Sequence, residues 1–124
     1  MSRQTFTIPG KLPSLNDLIG AMNHNRYSGA KLKRDTQHFI AIYALALRPI
    51  KTPATLHIAW YEKNARRDLD NVQSATKYVL DALVAIGKLE DDSPRHITAI
   101  SHENHVDRAN PRVVVTITEE ETAA

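Results

Sequence analysis

The sequence predicts an α+β fold: a roughly four-stranded mixed sheet covered by two main helices, in the order β-α-β-α-β-β. Three observations carry that reading. Two segments, Ala30 to Leu47 and Asn71 to Ile86, repeat apolar residues every three or four positions, the period of an amphipathic helix. Four shorter runs are β-prone or alternate with period two. Their order departs from the regular strand–helix alternation of a doubly wound sheet, so helices laid over one sheet fit better.

The elements follow in order. Thr5 to Ile8 is a short β-prone run stopped by Pro9-Gly10. Lys11 to Gly29 holds Pro13, Ser14, Asn16, Asn23, Asn25 and Gly29 and reads as a long irregular loop, of the kind that is functional or disordered. From Ala30 onward, Leu32, Thr36, Phe39, Tyr43 and Leu47 share one helical face, and Pro49 prevents continuation. Thr55 to Tyr61 sets Leu56, Ile58 and Trp60 on one face and reads as a half-buried strand. Val72, Ala75, Val79, Leu83 and Ile86 form the second helical stripe, with Asp70 as its cap and Gly87 as its stop. His96 to Glu103 and Arg112 to Thr118 are two strands with a polar connection, the second placing Val113, Val115 and Ile117 on one face.

A chain of 124 residues, 42% hydrophobic and 24% charged, has the composition of one globular domain. Residues 1–124 are therefore expected to form a single unit with a short acidic tail at about 119–124. The longest apolar stretch, Phe39 to Leu47, is too short to cross a bilayer. The N-terminus lacks the basic-then-apolar pattern of a secretory signal, so a soluble cytoplasmic protein with no membrane partner is expected. Cysteine is absent, which excludes disulfides, thiolate zinc sites and cysteine nucleophiles and leaves oxygen and imidazole as ligands. Net charge is +2, but Glu119, Glu120 and Glu121 sit together, so the rest of the chain is more basic. That permits nucleic-acid binding without demanding it.

The richest segment chemically is Asp68-Leu69-Asp70-Asn71, preceded by Arg66-Arg67 and followed, one helix later, by Glu90-Asp91-Asp92. Hard divalent cations take oxygen ligands and keep several waters, so two or three carboxylates plus a substrate phosphate complete a coordination sphere. Two arginines beside so much negative charge fit a phosphate polymer as substrate. For Asp91 and Asp92 to reach Asp68, the chain after Gly87 must fold back along the helix. A plainer reading is available: Asp70 as a helix N-cap, with Gln73 as its reciprocal partner three residues on.

Other candidates divide in the same way. Lys77 either points a cation at a scissile phosphate or pairs with Asp81 at i+4. Arg26, Lys31, Lys33 and Arg34, beside Tyr27 and the surrounding amides, make either a solvated face or a surface that grips a phosphate backbone. Of the six histidines only His102 and His105 have ligand-like spacing, and on a strand they point to opposite faces, which disfavours a zinc site.

Arg66-Arg67-Asp68-Leu69-Asp70-Asn71, the lysine four residues before Asp81-Ala82-Leu83, and Asp91-Asp92 together resemble the core of the RusA-type Holliday junction resolvases. Ile8-Pro9-Gly10-Lys11-Leu12-Pro13-Ser14-Leu15-Asn16 resembles that family's opening strand and Pro-Ser-x-Asn turn, so the likeness covers nearly the whole chain. It implies a small homodimeric endonuclease that binds four-way DNA junctions and cuts two strands symmetrically. Its Mg²⁺, with Mn²⁺ as a substitute, would be held by Asp68, Asp70 and Asp92, with Asp91 beside it. The catalytic lysine maps to Lys77. This chain carries about three extra residues between Asp70 and Asp81, and anchoring on Asp70 would put Ser74 in that place. Arg66, Arg67, Arg26, Lys31, Lys33 and Asn16 would contact DNA. A nuclease for flaps or other branched DNA is the nearest rival, and a non-catalytic junction binder, indifferent to chelation of metal, is the other.

Overall fold

The computed structural model describes residues 2–120. Strand β1 (Ser2–Pro9) is followed by helices α1 (Leu15–His24) and α2 (Arg26–Ala44), strand β2 (Ala54–Glu62), helices α3 (Leu69–Gln73) and α4 (Thr76–Ala85), and strands β3 (Ile97–Val106) and β4 (Arg112–Glu119). The four strands form one mixed sheet in the order β1-β4-β2-β3, with β4 antiparallel to both neighbours and β2 parallel to β3. An α+β fold with a four-stranded mixed sheet is therefore what the chain adopts.

The core lies between the helices and one face of the sheet. Alternation drives this: Phe6 and Ile8, Leu56, Ile58 and Trp60, and Val113, Val115 and Ile117 all turn inward and are buried. They meet Ile40 and Ala44 of α2, Val72 of α3, and Val79, Ala82 and Leu83 of α4. On the other face, Thr5, Thr7, His57, Tyr61, Thr116, Ser101, Glu103 and His105 remain exposed or half-exposed. Among the described residues no helix is long and apolar enough to cross a membrane.

Three expectations are corrected. The segment expected as a loop, Lys11 to Gly29, contains all of α1 and the start of α2. Ser14 and Asp17 form a reciprocal cap, Asp17 N donating to Ser14 Oγ at 3.1 Å and Ser14 N to Asp17 Oδ2 at 2.8 Å. Asn25 ends α1 and also caps α2, accepting from Ser28 N at 2.7 Å. Gly29 is buried where the two helices touch; a Cβ there would lie 2.6 Å from Met22 Cγ. The expected helix from Asn71 to Ile86 is broken after Gln73, where the Ser74 and Thr76 hydroxyls donate to the carbonyls of Asn71 and Gln73. Such side-chain bonds compete with the helical ladder. Finally, Glu119 is no tail residue. It ends β4, is buried, and accepts from Lys51 N at 2.6 Å; Glu120 N donates to Pro53 O. The remainder of the expected tail, 121–124, lies outside the described residues.

Candidate metal and nucleic-acid site

β2 ends at Glu62, and a short turn then brings the chain to α3, whose N-cap residue is Asp68. Asp68 makes no side-chain capping bond, and Asp70 stands in the first turn with its carboxylate accepting from Asn71 N at 2.9 Å. The expected assignment of Asp70 as the cap is thus displaced by two residues. Both carboxylates are exposed, and neither pairs with a cation among the described residues. They sit at the carboxyl end of a strand in a parallel pair, the end at which open sheets commonly bind ligands.

A crevice of about 430 Å³ opens there, lined by Glu62, Arg67, Asp68 and Val72 on one side and by Asn104, His105 and Val106 of β3 on the other. Arg67 belongs to its wall. Its guanidinium is 2.7 Å from Glu62 Oε1 and also donates to the carbonyl of Leu12 at 3.1 Å, with only 19% of the side chain exposed. Arg66 is exposed and is not among the residues that line the crevice. Beside the crevice, Tyr61 is stacked between the His105 ring, 4.7 Å away, and the Arg112 guanidinium at 3.8 Å. Arg112 in turn holds Asp107, whose carboxyl this hydrogen bond keeps below the usual range.

The Pro13-Ser14-Leu15-Asn16 turn docks directly on this helix. Leu15 N donates to Ser74 Oγ at 2.9 Å, and Asn16 N donates to Asn71 Oδ1 at 3.3 Å. The start of α1 therefore finds acceptors on α3 and on the break behind it, Asn16 meeting Asn71.

The second acidic group does not converge on the first. β2 and β3 are parallel, so the chain must travel back along the sheet between them, and α3 and α4 alone carry it on the order of 20 Å. Asp91 and Asp92 come just before β3, near the start of β2, where Ala54 N meets His96 O. Asp91 is engaged in its own turn: hydrogen bonding to Ser93, first, and to nearby backbone lowers its pKa, with His96 3.8 Å away. Asp92 is exposed. No group of three histidine, aspartate or glutamate side chains positioned for a metal occurs among the described residues.

The expected lysine also stands apart from the crevice. Lys77 lines a groove with Leu15, Leu18, Lys33, Ser74, Tyr78 and Asp81, and its Nζ is 3.4 Å from Asp81. The buried Tyr78 hydroxyl has no partner among the described residues, and burial, then Asp17, raises its pKa. Arg26 and Lys33 line a depression between α1 and α2, whereas Lys31 is paired with Asp35 at 2.6 Å. His102 and His105 face opposite sides as expected, His102 accepting from Trp60 Nε1.

Sequence reasoning missed Glu62 and Asn104, and weighed His105 only as a zinc ligand with His102. Only the strand register, which sets Trp60, Tyr61 and Glu62 against Asn104, His105 and Val106, brings them to Asp68. No family model matches the chain, and no curated protein matches it at a significant level.

Proposed function

We propose that the protein is a metal-dependent, structure-specific endonuclease of the RusA type, resolving four-way DNA junctions by paired cuts during recombination and repair in the cytoplasm. The observation that carries this reading is the contact between the Pro13-Ser14-Leu15-Asn16 turn and the Asp68-Leu69-Asp70-Asn71 segment. These are two stretches on which the resemblance rests: Asn16 N donates to Asn71 Oδ1 across 55 positions of sequence, and Leu15 N donates to Ser74 Oγ, three residues past the segment, across 59. Two independent chance likenesses have no reason to meet in space.

Mg²⁺, or Mn²⁺ in its place, would be held by Asp68 and Asp70 and would supply an activated water and neutralisation of charge on the phosphate. Exposed, without a cation partner among the described residues and within one turn of each other, these two carboxylates suit such an ion. Asp91 and Asp92 of the same chain are at the far end of the β2–β3 crossover, so in this reading they serve a site only when a second copy presents them. Arg66, exposed and one residue before the crevice-lining Arg67, would meet the phosphate that enters the crevice. Arg67 holds the wall in place through Glu62 and Leu12. Arg26, Lys33 and Lys77 track the backbone beyond the cut, their charges ready to replace condensed counterions.

The test compares a synthetic four-way junction with matched duplex and flap substrates, with and without Mg²⁺, for the wild type and Asp70→Asn. Mg²⁺-dependent cuts confined to the junction are expected, with Asp70→Asn binding normally and cutting at least ~10²-fold more slowly, the loss typical of removing a group that acts in the transition state. Undiminished cleavage by Asp70→Asn would sink the metal site. Junction binding without cleavage, unaffected by EDTA, would identify a binding protein instead, and preferential cutting of flaps would redefine the substrate.

A further inference from the structure

The crevice beside Asp68 is larger and more apolar than a metal ion and a phosphate require. Leu69 and Val72 of α3 line it on one side and Val106 of β3 on the other. Leu69 and Val106 are 57% and 60% exposed, so aliphatic surface at this crevice stands in water in the free protein. Covering it is favourable, yet a fully charged phosphate gains nothing from such walls.

The charges of the lining point the same way. Glu62 and Arg67 neutralise one another at 2.7 Å, which leaves Asp68 and a negative crevice. A phosphate is therefore held only at Asp68, through a cation, and the remaining space suits a flat, uncharged group with apolar faces and a polar edge. One side chain is available to that edge. Asn104 is exposed on β3 and its amide bonds to no described residue, whereas its neighbours His102 and His105 are engaged by Trp60 and Glu103. An amide presents a donor beside an acceptor, as the edges of nucleobases do. Asn64, the other amide of the lining, is not equivalent, because its Oδ1 accepts from Arg66 N at 3.0 Å.

We infer that the crevice takes one unpaired nucleobase of the strand being cut, its faces against Leu69, Val72 and Val106 and its edge on the Asn104 amide, while the adjoining phosphate stays at Asp68. A volume of about 430 Å³ is at the lower end for a small-ligand site and admits one base with its sugar, not a paired duplex. The base must leave its stack, and that costs least where pairing or stacking is already interrupted. A branch point is such a place, so the crevice itself selects branched over continuous DNA. The phosphate at Asp68 rests on the endonuclease reading; the base site rests on the walls and the amide.

The probe is a four-way junction carrying 2-aminopurine, whose fluorescence rises when it leaves the stack, at one position per molecule on either side of the branch point. Mixed with excess wild-type protein in Mg²⁺, a position next to the cut is expected to brighten several-fold before product forms, and the matched duplex is expected to stay dark. Val106→Trp fills the crevice from an exposed position of β3 and should abolish the brightening. Asn104→Leu keeps the side-chain volume and removes the amide. Brightening should persist in it, while the spread of cutting rates among the four bases at that position, ~5-fold or more in the wild type, should fall to about twofold or less. Cutting with no position brightened, or full brightening in folded Val106→Trp, would overturn the base site. Equal rates for all four bases in the wild type, or a spread that survives Asn104→Leu, would overturn readout by the amide. Brightening without product would leave the base site standing and overturn the endonuclease reading, and a junction neither brightened nor cut would overturn both.

Discussion

Arg67 lines the crevice with Asp68, yet its guanidinium is engaged by Glu62 and the Leu12 carbonyl, in a pair with 19% and 14% of the side chains exposed. Lysine cannot reproduce that fork, so Arg67→Lys should destabilise the fold by about 1–3 kcal/mol, as expected for lost charge-assisted hydrogen bonds. Arg66→Ala, at an exposed position, should stay within ~0.5 kcal/mol of wild type. Urea unfolding separates the two, and equal effects would remove Arg67 from the wall. Ser74 is the corresponding neutral case. Its hydroxyl accepts from Leu15 N and donates to Asn71 O, so Ser74→Ala should cost about 1 kcal/mol. His102 gives a pH dependence. Burial first, and His57 second, lower its pKa, and protonation would also break the bond from Trp60. The unfolded chain therefore takes up the proton more readily than the folded one. The contribution of His102 is complete above the unfolded pKa of about 6.5 and is lost as pH falls through the lower folded value. The melting temperature should fall between about pH 7 and pH 5, and fall less in His102→Asn, which removes the titrating group. Equal falls in the two proteins would exclude His102 as the cause.

At the level of elements, the strands were legible because a two-residue period has one meaning: Leu56, Ile58 and Trp60, or Val113, Val115 and Ile117, can share a face only in extended chain. Helix α1 was not. Ser14, Asn16 and Asn25 belong to types that favour both turns and caps, and only Asp17, three residues after Ser14, signalled the cap. The crevice was half legible for a related reason. Asp68 and Asp70 are neighbours in sequence, whereas the parallel register of β2 and β3, which carries Asp91 and Asp92 away and brings Asn104 and His105 in, is a property of long-range pairing. Helix α2 shows how local partners sort apparently equivalent residues. Lys31 is held by Asp35, while Lys33 faces the depression it shares with Arg26 and the groove it shares with Lys77. If α2 grips DNA, Lys33→Ala should lower the slope of log affinity against log salt by roughly one. Lys31→Ala should change it less, since its charge is already partly met. Equal changes would mean that the ion pair opens on binding, and no change in either would remove α2 from the DNA surface.

For the molecule as a whole, symmetry converts the proposed site into a statement about products. A crevice on each chain, with the two related by a twofold axis, can cut a junction on two strands within one bound complex, whereas one working crevice leaves a nick. On a supercoiled plasmid carrying a cruciform the outcomes separate cleanly: paired cuts give linear DNA and single cuts give open circles. Co-expression of wild type with a roughly tenfold excess of Asp70→Asn places nearly every active chain opposite an inactive one. The expected product is then the open circle, formed at about the rate expected for half the active crevices, with little linear DNA. Linear DNA produced as efficiently by the mixed protein would show that both cuts come from one crevice or from independent encounters. Symmetric paired cutting would then be the wrong description, even if Asp68 and Asp70 hold the metal.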